Sequence, residues 1–128
     1  MANRLFAVVM VVYLILDVLL TPFAGIETRT LAELTPQTGY ATLGLLFIGL
    51  ILIIASLVSV GIGPRRASIL AIVGALLYFP AFLADYTGQF STATASTTIA
   101  SLEIVQALVA IVTIILALQF RRQSARSM

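Results

Sequence analysis

Two carboxylates stand where a lipid-embedded chain seldom tolerates them. Asp17 interrupts the apolar run 5–23, and Glu103 interrupts the run 98–120, with Gln106 one turn further along. An acidic side chain near the middle of a membrane helix costs about 2.5–3.5 kcal/mol on insertion scales, so something must offset it. At ~1.5 Å per residue, Asp17 lies roughly 18 Å from residue 5, and Gln106 lies roughly 12 Å from residue 98 on the opposite side. Within a hydrocarbon core of ~30 Å the two depths coincide. Tyr13 sits one turn inward of Asp17 and Glu103 one turn outward of Gln106, so all four side chains are expected to meet in the outer leaflet.

No Lys or Arg falls inside a span to pair with these acids. They are then held neutral, or share a proton or cation, or are reached by water from outside. On the functional reading, Asp17, Glu103, Gln106 and Tyr13 form a proton-titrating or cation-binding site. On the structural reading, Asp17 hydrogen-bonds to Gln106 or to a backbone group as an interhelical tie worth ~0.6 kcal/mol. Glu103 is close to the positive end of its own helix and has the further option of reaching the headgroups. Asp85, at the negative end of its helix, is either solvated or paired with Arg29. Tyr78, Phe79 and Phe82 surround Pro80 and read as core or lipid contacts, with the lining of a flat apolar pocket as the alternative.

Other chemistry is excluded by composition. The chain has neither Cys nor His, which removes thiolate nucleophiles, disulfide exchange, haem ligation by His or Cys, and the usual zinc and copper sites. No cofactor and no metal is expected. All seven basic residues are Arg, and most flank apolar segments, so they read as topology signals and not as a nucleic-acid patch.

The elements that must position these residues follow from hydropathy. With 61% hydrophobic and 9% charged residues over 128 positions, water is not the main solvent, since a soluble domain is about half apolar. The predicted fold is all-α: a single four-helix transmembrane domain with spans at about 5–23, 39–63, 67–86 and 98–120. Asp17 within the first span, and Pro22 where a cleavage site after Ala24 needs a small residue, favour a retained helix over a signal peptide. Thr35 is placed as the N-cap of the second span with Pro36 at its first position. Gly61, Gly63 and Pro64 end that span, and Arg65 and Arg66 fill a tight hairpin turn before the third. Pro80 should kink the third span by removing a backbone bond to Leu76. Thr30 and Glu33 have capping-box spacing, 91–98 reads as an external Ser/Thr/Ala loop, and 121–128 as a solvated or headgroup-bound tail.

Small residues should decide the packing. Ala55, Ser59 and Gly63 recur every four residues in the second span, and Ala67, Ala71 and Ala75 do so in the third. Their spacing predicts the tightest contact in the cytoplasmic half of the hairpin. In the fourth span Ala100, Glu103, Ala107, Ala110 and Ala117 share a face, which would turn Glu103 toward protein. Orientation follows from Arg4, Arg65, Arg66, Arg121, Arg122 and Arg126 on one side against Arg29 alone on the other. Both termini are therefore expected on the cytoplasmic side of a multi-pass cell-membrane protein.

Two functions are consistent with these features. One is a small oligomeric carrier in which the acids couple a proton or cation to a small cationic or amphipathic solute. Its architecture resembles that of small multidrug exporters, although the residues do not match that family's first-helix Glu motif, so the likeness is architectural alone. The other is a non-catalytic accessory or scaffold subunit of a larger membrane complex, whose partner is a membrane protein or a second copy. Acid–base catalysis by Asp17, Glu103 and Tyr13 would require a pocket that no spacing demonstrates, so an enzyme is not expected.

Overall fold

The computed structural model is all-helical and describes the backbone at 2–20, 35–87 and 96–127, with side chains at 4–20, 35–87 and 96–122. Helix α1 covers Ala2–Leu19, α2 Thr38–Ser59, α3 Pro64–Leu76, α4 Tyr78–Tyr86 and α5 Thr97–Ser127. Helices α3 and α4 form one rod interrupted at Leu77, so the described residues make four rods. The interruption has the expected cause. Leu77 N–H still reaches the Val73 carbonyl at 3.1 Å, but Pro80 has no N–H to give Leu76.

Three rods, Thr38–Ser59, Pro64–Tyr86 and Thr97–Arg122, are long and apolar enough to cross a membrane. Burial is inverted relative to a water-soluble bundle. Asp17, Thr42, Ser56, Ser68, Gln106 and Thr113 are buried, while Leu5, Val8, Ile15, Ile51, Val58, Ile104 and Leu108 face outward. Aliphatic surface on every rod is tolerable in acyl chains and not in water.

The rods close a ring: α5 packs on α1 and α3, α2 packs on α3, and α1 touches α2. Phe6, Met10, Tyr13 and Asp17 of α1 and Leu20 just beyond it are buried, as are Ile99, Gln106, Ala110, Thr113, Ala117 and Phe120 of α5. The first set alternates four- and three-residue steps, and the second does so from Gln106 after one seven-residue step, the seven-residue period that keeps one seam turned to a neighbouring helix. Phe6 meets Phe120 with ring centroids 5.2 Å apart, so the first and last helices run antiparallel. This arrangement, with the Ser68 hydroxyl on the Ala117 carbonyl, gathers Arg4, Arg65, Arg66, Arg121 and Arg122 at one end.

Several boundaries and contacts differ from the sequence expectation. Regular helix α2 begins at Thr38, with Gln37 as its N-cap residue. Thr35 and Pro36 stand before it; Thr35 pairs its hydroxyl with that of Thr38 at 2.7 Å and its carbonyl accepts Gly39 N–H at 3.2 Å. The turn between α2 and α3 is made by 60–63, and Pro64 opens α3. Proline fits the first helical turn because its missing N–H would have had no intrahelical acceptor there. Arg65 and Arg66 therefore lie in the first turn of α3 and not in the connection. Helix α5 starts at Thr97 behind Ser96, whose hydroxyl accepts Ile99 N–H at 3.2 Å, and it runs to Ser127, so the expected tail is helical. Leu20 leaves α1 in a turn; the predicted end of the first span at 23, the Thr30–Glu33 capping box, Arg29 and most of the Ser/Thr/Ala loop lie outside the described residues.

The tightest contact also moves. Ala67, Ala71 and Ala75 are buried, but α2 meets α3 through Gly49, Ile53 and Ser56, while Ala55, Ser59 and Gly63 are only half-buried. A Cβ on Gly49 would stand 3.0 Å from the Gly74 carbonyl oxygen, and one on Gly74 would stand 3.0 Å from Ile53 Cγ1. Close backbone approach thus occurs mid-helix. Ser56 donates to the Ala67 carbonyl at 2.6 Å, whereas Ser59 turns back to Ala55 of its own helix at 2.8 Å.

Candidate functional site

The first helix brings Tyr13 and Asp17 to the α1–α5 seam because both fall on its buried stripe. Gln106 comes from the facing stripe of α5. Asp17 is 2% exposed and Gln106 0%, so neither carboxylate nor amide is directed at lipid. The Gln106 Nε2 donates to the Tyr13 carbonyl at 3.2 Å. In an α-helix that carbonyl also accepts the N–H of residue 17, so the amide lies within the turn that carries Asp17.

Asp17 Oδ1 and Gln106 Oε1 are both buried and have no hydrogen-bond partner among the described residues. Two acceptors make no bond with one another while Asp17 is ionised, whereas a neutral Asp17 carboxyl has a proton to donate; the Gln106 Nε2 is already used by the Tyr13 carbonyl. Tyr13 directs its hydroxyl across the ring to the Gly74 carbonyl at 3.5 Å, which joins α1 to the glycine contact. Native interiors leave few buried acceptors unsatisfied, and those that remain require an explanation.

Glu103 is half-buried and belongs to a cleft at the end of the bundle opposite the arginines. Leu20, Thr42, Leu46, Tyr78, Phe82, Asp85 and Glu103 line it. Its volume is about 20 Å³, room for about one water. Tyr78 is the centre of this wall. Its hydroxyl donates to the Glu103 carbonyl, and it lies within electrostatic range of Asp17, Glu103, Asp85 and Tyr13. The three acids come from three different rods.

Of the residues expected to meet, Tyr13, Asp17 and Gln106 are brought together in the α1–α5 seam, and Glu103 stands at the adjoining cleft. Sequence reasoning set Tyr78 and Asp85 apart from them. Their spacing carried a signal: Tyr78, Phe82 and Asp85 stand at i, i+4 and i+7, one helix face. Pro80 on the same short helix drew attention to the kink and away from that face. Phe82 lies 5.9 Å from Tyr78 and 6.0 Å from Tyr86, measured between ring centroids, so the aromatic residues pack on the phenol and on one another.

Among the described residues no group of three His, Cys, Asp or Glu side chains could hold a metal ion. The chemistry left to the site is that of a buried carboxylate with free acceptor capacity: taking up a proton, or receiving a donor from water or from an organic cation. Compared with known proteins, the chain matches no family model, no curated protein and no solved structure.

Proposed function

We propose that this chain is a four-span membrane protein, with both ends on the cytoplasmic side, that carries a small cationic or amphipathic solute coupled to a proton or cation through Asp17. The observation that supports this reading most is the buried Asp17 oxygen without a donor, one turn from Leu20 of the cleft wall. An intramembrane acid with no structural bond at that oxygen is costly, and cost without structural return is the signature of a functional group. Glu103 and Asp85 bring two further carboxyl groups to the cleft, chemistry that suits a cation better than an anion. The fourth span is α1, whose outward face of Leu5, Val8, Val11, Val12, Ile15 and Val18 suits acyl chains. The arginine-rich end supplies the orientation.

The test is flux in liposomes containing the purified chain. A proton gradient should drive accumulation of ethidium with the unaltered protein and not with Asp17→Asn. Equal accumulation by both, or none by either with the protein folded, would refute the carrier reading.

The small cleft favours a second reading. A space of about 20 Å³ does not admit an organic solute in this conformation, as suits a static accessory or scaffold subunit. That reading requires a stoichiometric membrane-protein partner after mild-detergent purification. A free monomer under cross-linking would exclude it.

A further inference from the structure

The opposite end of the bundle carries a second feature of different chemistry. Arg65 and Arg66, in the first turn of α3, form an open groove with Ile69 and Leu70 one turn further along. Both arginines are exposed, and so is Ile69. The groove is shallow and open to its surroundings, with a volume of about 390 Å³.

Charge complementarity identifies the occupant. The described acids Asp17, Asp85 and Glu103 belong to the far end, whereas Arg4, Arg121 and Arg122 share this end with the groove. Two exposed arginines at an apolar groove match a molecule with an anionic head and an apolar tail. Guanidinium presents several N–H donors in a planar fork that fits phosphate oxygens. We propose that the groove of Arg65, Arg66, Ile69 and Leu70 is a binding site for an anionic phospholipid, its phosphate on the arginines and its acyl chain along Ile69.

Native mass spectrometry of the full chain, released from detergent with equal amounts of phosphatidylglycerol and phosphatidylcholine, tests the site. The unaltered chain should retain phosphatidylglycerol selectively, and excess inorganic phosphate should not displace it. Removing both arginines as R65Q/R66Q should weaken retention roughly 30-fold, from the usual contribution of each basic residue at an anionic surface. R121Q/R122Q removes the same charge from the same end and should stay within about threefold of the unaltered chain. Equal losses in the two double variants would mean diffuse attraction and would overturn the proposal. So would equal retention of phosphatidylcholine, displacement by phosphate, or a lipid-free dimer with a second copy in the groove. Where R65Q/R66Q does not fold, R121Q/R122Q still decides: unchanged selectivity supports the groove, and its loss overturns it.

Discussion

Replacing Asp17 with Asn separates a working acid from an interhelical tie, because the two roles predict stability changes of opposite sign. Asn has nearly the same shape, so the packing of the α1–α5 seam is unchanged and no cavity or clash enters the comparison. The substitution removes a carboxylate whose Oδ1 is buried without a donor, and it supplies an N–H₂ in the seam where a Gln106 oxygen also lacks one. A buried polar atom left unsatisfied costs about 1–3 kcal/mol. An interhelical hydrogen bond in a membrane contributes on average ~0.6 kcal/mol. If Asp17 is kept for function, Asp17→Asn should therefore stabilise the chain by about 1–2 kcal/mol, a factor of roughly 5–30 in the folding equilibrium, while abolishing Asp17-dependent flux. Helical circular dichroism through a titration of mixed micelles with SDS measures the first effect and the liposome assay the second. A variant that is equally stable or less stable than the parent would refute the reasoning and leave Asp17 a structural residue.

Other expectations follow from single contacts. Gly74→Ala places a methyl 3.1 Å from the Gly49 carbonyl oxygen and 3.0 Å from Ile53 Cγ1; it should cost about 1–3 kcal/mol in the same titration. Gly44→Ala, where nothing lies within 4 Å, should instead gain up to about 1 kcal/mol from helix propensity. Tyr78→Phe deletes the bond to the Glu103 carbonyl and with it the phenol among three acids. It should lower stability by about 1 kcal/mol and reduce ethidium flux, without the stability gain expected for Asp17→Asn. Ser56→Ala and Ser68→Ala each remove a tie to a neighbouring helix, whereas Thr113→Ala removes only a bond to Val109 of its own helix. Each serine should cost about 0.6 kcal/mol and the threonine less.

The number of rods, their approximate limits, the break ahead of Pro80 and the polarity of the two ends were legible in the sequence. These properties depend on contacts between residues near in the chain and on the cost of apolar or charged groups in each solvent. Hydropathy reports that cost directly. The depth of Asp17 against Gln106 was also legible, because helical rise converts residue number into distance.

Only the tertiary structure decided which small residues touch. Ala55, Ser59 and Gly63 have the same four-residue spacing as Ala67, Ala71 and Ala75, yet only the alanines are buried, and Gly49 meets Gly74 instead. Local spacing defines a face but not the rotation of one helix against another, which follows from where two whole surfaces fit best. For the same reason Tyr78 and Asp85 joined Glu103 only on folding. Hydropathy places a residue at a depth in the membrane; the packing of the other rods determines what it meets there.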